Sequence, residues 1–284
     1  MHLQRLLKWT IFVTLFAAVL TVWVPVWILI FGSFMGQGEL YDYIGTIYNN
    51  GTSYAMWPLL PKFPTLRAYV EALLDTPQFF IMFWNSFKLV FPTFLGNCLV
   101  SVPAAWGLAK FRFKGRKILF FLYLLLMLMP FQVTMVSTYL ALDAIHLMDT
   151  IWTVVLPAVF STFPVFIMMK FFSGIPKALL EAAALDGANE FQIFLFIGLP
   201  LGFPGIVSAL TLTFIENWNA IEQPLTFIKT KSLWPLSLYL PDLSIQQMGL
   251  AFVASILIML PAVFIFAIGK RYLEAGISMC GIKE

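Results

Sequence analysis

Long apolar runs without charged residues dominate the chain. Five runs carry no charge and a sixth is interrupted only by Lys88; they cover residues 9–31, 79–108, 118–142, 151–169, 191–215 and 249–269. Each run reaches the roughly 20 residues that an α-helix needs to cross the hydrocarbon core of a bilayer. None alternates polar with apolar residues, as the strands of a membrane barrel do. The pattern predicts an all-α membrane protein with six transmembrane helices.

Composition supports a single membrane domain over residues 1–284. Hydrophobic residues make up 61% of the chain and charged residues only 11%, which is outside the range of soluble domains. The first run follows basic residues, as in a secretory signal, but its 23 residues exceed the apolar core of such signals. We therefore predict that it is an uncleaved anchor.

Basic residues are distributed unequally between the two sides of this topology. Twelve fall on the side of the termini and four on the other, where nine acidic residues accompany them. Because lysine and arginine in short loops favour the cytoplasm, we predict that both termini and the loop over residues 173–190 are cytoplasmic. The basic cluster from Lys110 to Lys117 fits contact with anionic membrane lipid better than a nucleic-acid patch, so we expect no nucleic-acid partner.

Motifs for energy conversion and catalysis are missing from the sequence. It contains no phosphate-binding loop, no His-Glu-x-x-His and no Cys-x-x-Cys, and its only histidines are His2 and His146. No apolar run holds the carboxylate pairs or histidine chains of a proton-coupled pump. We expect no catalytic residues, no metal site and no cofactor in this chain.

The segment between the first two runs, residues 32–78, divides into two parts. Its first part contains Gly36, Gly38, Gly45 and the stretch Asn49 to Gly51, and is predicted to be turns and loop. Its second part, Pro64 to Leu74, is predicted to be a short amphipathic helix capped by Thr65 that lies along the outer membrane surface.

The loop over residues 173–190 carries clear helix start and stop signals. Pro176 suits a first turn, Lys177 to Asp186 is rich in good helix formers, and Gly187 suits a left-handed terminating residue. Asn189 is placed to cap the next helix. By composition alone this alanine-rich loop is either a docking handle for a partner protein or a helix resting on the membrane.

Spacing within and after this loop resembles a known family signature. The pattern is Glu181-Ala182-Ala183, three residues, Gly187, nine residues, Ile197, one residue and Leu199-Pro200. It is similar to the signature of binding-protein-dependent ABC transporter permeases, and most similar to the second membrane subunit of maltose-type carbohydrate importers. Further stretches resemble the same branch: Phe63-Pro64-Thr65-Leu66, Asn85-Ser86, Lys110 to Arg116, Trp218-Asn219 with Pro224-Leu225, and Lys270-Arg271-Tyr272-Leu273 with Gly276 and Gly281-Ile282-Lys283. Lys270 replaces the glutamine usual in that branch.

The resemblance implies an importer permease of a bacterial inner membrane, with a coupling helix between transmembrane helices 4 and 5. Glu181, Ala182, Ala183 and Gly187 would then couple the bundle to two cytoplasmic ATPase subunits, which bind ATP and magnesium. A second, different permease subunit and an extracytoplasmic solute-binding protein would complete the importer. The chain itself would not be an enzyme.

Polar residues within or beside the apolar runs are candidates for the solute path. They are Asn85, Lys88, Glu216, Asn217, Trp218 and Asn219. The last four also fit a helix cap and interfacial belt, and Lys88 also fits a side chain extended to the membrane surface. A sugar is the expected solute; glycerol phosphate and a polyamine are the alternatives, and a stand-alone channel or secondary carrier is the competing class.

Overall fold

The computed structural model describes residues 2–48, 58, 60–239 and 247–281, and every regular element in these ranges is helical. The α-helices are α1 (His2–Gly32), α2 (Gln37–Tyr48), α3 (Arg67–Val70), α4 (Pro77–Lys110), α5 (Arg116–Leu128), α6 (Phe131–Ala144), α7 (Trp152–Val159), α8 (Thr162–Gly174), α9 (Lys177–Leu185), α10 (Glu190–Ile193), α11 (Leu199–Trp218), α12 (Glu222–Phe227) and α13 (Met248–Gly281). Two π-helical turns, Glu71–Asp75 and Phe194–Gly198, continue α3 and α10. Asn49 to Gly51, Ile282 and Lys283, named above, lie outside the described residues.

Six helical segments correspond to the six apolar runs. Within the described residues, five are long and apolar enough to cross a bilayer, and α5 with α6 form a sixth if the bent pair is one span. The five are Lys8–Gly32, Pro77–Lys110, Trp152–Gly174, Glu190–Trp218 and Met248–Glu274. The predicted all-α membrane fold is therefore confirmed.

The third run is not the single helix that residues 118–142 predict. Helices α5 and α6 are bent by 107° with respect to each other at Met129 and Pro130. Proline lacks an amide hydrogen and forces the preceding residue out of the helical region, and Met129 is extended, with φ −75° and ψ 122°. The apolar run predicted one helix here, and the structure has two helices separated by a break.

The fourth run is also interrupted. Helix α7 ends at Val159, and Ser161 is extended, with φ −58° and ψ 137°, before α8 begins. Pro164, in the first turn of α8, sterically opposes the helical carbonyl position of Phe160 four residues earlier. A helix predicted as continuous over 151–169 is therefore two helices, Trp152–Val159 and Thr162–Gly174.

The chain forms two compact units, the first being Met1–Phe80 with Tyr239–Leu260. In this unit the predicted glycine-rich loop is wrong, because Gln37–Tyr48 is a helix whose Leu40 is fully buried. The predicted short helix is present as α3 and the π-helical turn that continues it, and its place along the outer membrane surface stays a prediction. Its small residues Ala68 and Ala72 are buried against Leu250 and Val253 of α13, whereas Leu66, Val70 and Leu74 are exposed.

The second unit is Ile81–Leu238 with Pro261–Glu284. Its core lies where α4, α8 and α11 meet, around the buried side chains of Trp106, Met168 and Phe172. Gly202 and Gly205 let α11 approach α8 closely, because a Cβ atom at either would lie 2.1–2.3 Å from the ring of Phe172 or Phe171. This packing holds α8 and α11 together on both sides of the alanine-rich loop.

Candidate functional site

The alanine-rich loop folds as a short helix with a fixed end. Gly187 has φ +88°, as predicted for a left-handed terminating residue. The Ala188 amide donates to the Ala183 carbonyl at 3.0 Å, and the Gly187 amide donates to the Ala184 carbonyl at 3.1 Å. These two bonds form a Schellman motif, which satisfies the last carbonyls of α9. The end of α9 is therefore set by its own backbone.

The next helix begins two residues later with a capping box. The Gln192 amide donates to Asn189 Oδ1, and the Asn189 amide donates to Gln192 Oε1, each at 2.9 Å. The predicted cap at Asn189 is confirmed. Only Asp186, Gly187 and Ala188 lie between Leu185, the last residue of α9, and the Asn189 cap, so α9 is joined to the following span through a short, hydrogen-bonded turn.

Helix α9 has two distinct faces. Leu180 and Ala183 pack against the core of the second unit, as does Ala188 beyond the turn. The opposite face is exposed and combines apolar with acidic side chains; Leu185, 89% exposed, is its most accessible apolar residue. Of the four predicted coupling residues, the structure places Glu181, Ala182 and Gly187 at the exposed surface and turns Ala183 toward the bundle.

Lys110, at the end of α4, ties the start of this loop to the bundle. Its ammonium donates to the Ile175 carbonyl at 2.8 Å and lies 5.9 Å from the ring centroid of Trp106. Ile175 follows the last residue of α8 and precedes Pro176, the cap of α9. The bond therefore joins the end of α4 to the connection between α8 and α9.

A polar cavity of about 570 Å³ lies elsewhere in the second unit, at both helix breaks. It is bordered by the break around Met129, the break around Ser161 and the end of α11. Its polar lining residues are Thr134, Thr138, Ser161, Thr162, Thr213, Glu216, Asn217, Glu222 and Gln223. Irregular backbone at membrane depth is tolerated where it borders such a polar space.

Among the described residues that line this cavity, some polar groups are hydrogen-bonded within the protein and one buried hydroxyl is not. Thr213 is only 4% exposed, yet its hydroxyl has no hydrogen-bond partner among the described residues. The Asn217 amide nitrogen donates to the Thr213 carbonyl at 2.8 Å, and Glu222 accepts from the Gln132 amide at 2.8 Å. A buried hydroxyl without a partner costs about 1–3 kcal/mol.

Charge in the cavity has one sign. Glu216 and Glu222 are among its lining residues, and none of the described residues that line it is a lysine or arginine. Hydroxyls, amides and carboxylates suit the hydroxyl groups of a polyol or the charge of a cation, and they disfavour an anion. The described residues contain no cluster of three or more histidine, cysteine, aspartate or glutamate side chains placed to hold a metal ion.

Only two of the six candidate path residues, Glu216 and Asn217, line this cavity. Trp218 is 1% exposed and packs between Phe87 and Phe214 at ring distances of 5.5 and 5.7 Å. Lys88 and Asn219 are exposed and do not line the cavity; the Asn219 amide nitrogen donates to the Ile215 carbonyl.

Asn85 does not line the cavity and is hydrogen-bonded to a segment that is distant in sequence. Its amide nitrogen donates to the carbonyls of Ser232 and Trp234 at 2.7 and 3.2 Å, and the neighbouring Ser86 hydroxyl accepts from the Leu236 amide at 2.8 Å. The Asn-Ser pair therefore anchors the segment over residues 228–238. No sequence signal joins positions that are about 150 residues apart.

Asn97, which the sequence analysis did not single out, supports the break between α7 and α8. It is fully buried in α4, and its amide nitrogen donates to the Ala158 carbonyl at 3.3 Å. Ser101 in turn donates to Asn97 Oδ1 at 2.9 Å. An asparagine in an apolar run was the available signal, since buried amides at membrane depth need a partner.

Asp149 holds the same 228–238 segment from the other side. Its carboxylate accepts from the amides of Lys229 and Thr230 at 2.8 Å and from the Thr230 hydroxyl at 2.6 Å. Asp149 has φ +59°, a conformation that aspartate tolerates better than most residues. These three bonds form a clasp between the α6–α7 connection and the residues after α12.

Asp149→Ala is expected to make trypsin cleavage after Lys229 and Lys231 several-fold faster, because the clasp is lost. Asp149→Asn, which keeps one acceptor oxygen and tolerates the same φ, is the matched control and retains most of the protection. The measurement is the rate of appearance of the two fragments from folded protein. Equal rates in wild type and Asp149→Ala would contradict the clasp.

The clasp is also expected to be independent of pH in the neutral range. Hydrogen bonds from the Thr230 side chain and backbone, with a smaller contribution from Lys229, lower the pKa of Asp149. A lowered pKa gives stabilisation above the unfolded value of about 3.9, lost only as pH falls through the folded value. The ratio of the trypsin cleavage rates of Asp149→Ala and wild type, both measured at the same pH, should therefore stay constant from about pH 6 to pH 9.

One protein-family match includes both the alanine-rich loop and the residues that line the polar cavity. Residues 101–279 match the family described as the binding-protein-dependent transport system inner membrane component. The chain belongs to this family. The resemblance carried by Glu181 to Pro200 is confirmed: the chain is an ABC transporter permease, a multi-pass protein of the inner-membrane type.

Named relatives of the permease include carbohydrate transport proteins. It is 30% identical over 226 residues to the arabinooligosaccharides transport system permease protein AraQ of Bacillus subtilis, covering 78% of this chain and 80% of the relative. It is 27% identical over 208 residues to the sn-glycerol-3-phosphate transport system permease protein UgpE of Pectobacterium atrosepticum, covering 72% and 74%.

A solved structure shares the fold of the permease. It is the crystal structure of a bacterial ABC transporter involved in the import of the acidic polysaccharide alginate, with a TM-score of 0.77 over 94% of this chain and 96% of that one. Sequence identity is 19%, so the likeness supports the fold and not the solute. The predicted importer-permease fold is thereby confirmed.

Proposed function

We propose that this permease moves a small polar solute, a sugar, from an extracytoplasmic binding protein into the cytoplasm of a bacterium by ATP-driven alternating access. The observation that carries the proposal is the exposed face of α9. Apolar side chains there, with Leu185 foremost, adjoin the carboxylates of Glu181 and Asp186. An apolar patch rimmed by charge on an otherwise packed helix suits a protein partner.

Two cytoplasmic ATPase subunits are the proposed partners of this face and of its counterpart on a second, different permease subunit. ATP and magnesium bind to the ATPase subunits, and this chain supplies no residue to the hydrolysis. Leu185 and Ala182 provide close apolar contact, and Glu181 provides a charged contact that fixes the register. Both termini and the alanine-rich loop lie in the cytoplasm in this arrangement.

Coupling runs from α9 into the bundle by two routes. The Gly187 turn passes movement to α10 and α11, and the bond from Lys110 to Ile175 passes it to α4 and α8. α11 ends at the polar cavity, which also borders the break between α7 and α8. Rocking of α9 therefore changes the spacing of the elements that enclose the cavity, which is the change that alternating access requires.

A sugar fits the polar cavity better than glycerol phosphate does. Thr213, Asn217 and the carboxylate of Glu216 offer donors and acceptors for hydroxyl groups, and the described lining of the cavity contains no basic residue to bind a phosphate. The arabinooligosaccharide relative supports the same choice. A polyamine is the second candidate, favoured by the two carboxylates.

The test is uptake into proteoliposomes that contain either this chain alone or the complete importer with its second permease, ATPases and binding protein. Arabinotriose, glycerol 3-phosphate and spermidine serve as solutes. We expect uptake of arabinotriose only by the complete importer and only with ATP. Uptake by the chain alone would instead establish a channel or carrier. ATP-driven uptake of glycerol 3-phosphate, with no uptake of arabinotriose, would refute a sugar as the solute and would still support coupling to ATP hydrolysis.

A further inference from the structure

A second cavity, distinct from the polar one, lies at the turn between α4 and α5. Its volume is about 930 Å³, at the upper end of the range of about 300–1,000 Å³ that small-molecule pockets occupy. Leu108 of α4, Ile118 and Phe120 of α5, and Met169 of α8 contribute its apolar wall. The cavity is therefore bounded by three membrane helices near their ends.

Four basic residues form the rim of this cavity. They are Arg112, Lys114, Arg116 and Lys117, and no acidic residue lines the cavity within the part of the chain that the structure describes. Arg116 donates to the Ala109 carbonyl at 3.3 Å. The side chains of the other three make no hydrogen bond or ion pair with any described part of the chain. Three cationic groups are thus available for an anionic ligand.

Apolar surface adjoins this rim. Phe113, in the turn between α4 and α5, is 45% exposed, and Ile118, in the first turn of α5, is 68% exposed. A small soluble anion would use the cations and leave this apolar surface uncovered. An amphiphile with a phosphate headgroup satisfies both, with its phosphate at the rim and its chains along Ile118 and Phe120.

We propose that this cavity binds one anionic phospholipid, with the headgroup phosphate held by Arg112, Lys114 and Lys117 and the acyl chains along the apolar wall. The bound lipid fills the space between α4, α5 and α8, and Lys110, which bonds to the start of the alanine-rich loop, precedes the rim residue Arg112 by two positions. The inference depends on the chain being a membrane protein and not on the identity of its solute.

The test is lipid retention by the full-length permease in its complete importer. The complex is reconstituted in equimolar phosphatidylglycerol and phosphatidylcholine, extracted in mild detergent and analysed by native mass spectrometry. We expect wild type to retain phosphatidylglycerol in preference to phosphatidylcholine. The double variant Lys114→Gln/Lys117→Gln should lower that retention by about tenfold or more, since each basic residue near an anionic lipid contributes appreciably.

Two further variants sharpen this test. Lys229→Gln/Lys231→Gln removes two exposed lysines far along the chain and should leave retention unchanged. Phe113→Ser keeps all four basic residues and removes the apolar side chain beside them, so it should also lower lipid retention. Unchanged retention in Lys114→Gln/Lys117→Gln, equal retention of the two lipids, an unaffected Phe113→Ser, or displacement of the lipid by inorganic phosphate would each overturn the proposal.

Discussion

Gly187→Val is expected to abolish ATP-driven uptake while the permease remains folded in the membrane. A left-handed backbone costs an ordinary L-residue about 1–2 kcal/mol, and a β-branched side chain resists it further. An added Cβ at Gly187 would meet no atom within 4 Å, so the strain comes from φ and not from a clash. The backbone relaxes by reorienting α9 relative to α10, which uncouples ATP hydrolysis from the bundle.

Separate measurements of ATP hydrolysis and solute uptake reveal this uncoupling. We expect the Gly187→Val complex to hydrolyse ATP without stimulation by the loaded binding protein. Gly187→Asn should restore part of the uptake, because asparagine tolerates positive φ. Gly174→Val is the control for bulk: a Cβ at Gly174 also meets no atom within 4 Å, and its φ is not positive. Normal uptake by Gly187→Val would refute the role of this turn in coupling.

Charge reversal at Glu181 should give a different defect from Gly187→Val. Glu181 is exposed on α9, so Glu181→Lys leaves the turn intact and alters only the surface offered to a partner. We expect less ATPase to copurify with Glu181→Lys, whereas Gly187→Val should retain its ATPase. The two variants together distinguish binding of the ATPase to α9 from coupling of ATP hydrolysis to the bundle through the Gly187 turn.

Local signals explain why the alanine-rich loop was predictable from the sequence. Its start, its left-handed end and the cap of the next helix each depend on one residue and its immediate neighbours: Pro176, Gly187 and Asn189. The helix over Gln37–Tyr48 was missed for the converse reason. Gly38 and Gly45 suggested a loop by local propensity, and burial of Leu40 in its unit overrides that propensity.

The polar cavity depends on contacts that sequence patterns do not report. Each interrupted run contains a proline close to its interruption, at 130 and 164, but the interruptions at Met129 and Ser161 also require partners for the freed backbone groups. One such partner is Asn97, whose bond to Ala158 joins positions 61 residues apart. Glu216 and Trp218 look equally suitable as path residues in sequence, yet helical rotation places one in the cavity and the other in the core.

Replacing Glu216 discriminates among the three candidate classes of solute. A charge-assisted hydrogen bond contributes about 1.5–3 kcal/mol, or roughly 10- to 150-fold in uptake. For a sugar, Glu216→Gln keeps an acceptor and should lower uptake modestly, whereas Glu216→Lys offers only donors and should lower it about a hundredfold. For a polyamine both variants should fail, and for glycerol phosphate Glu216→Lys should raise uptake.

Two companion variants connect this result to the cavity. Asp143→Lys makes the same charge reversal at an exposed carboxylate that does not line the cavity, and uptake should stay near the wild-type rate. Thr213→Val replaces a buried hydroxyl, which has no partner among the described residues, with a methyl of the same shape, so stability should hold or rise. Uptake should nevertheless fall, because the solute loses a hydrogen bond. A variant that is as stable as wild type and transports equally well would show that the Thr213 hydroxyl does not contact the solute.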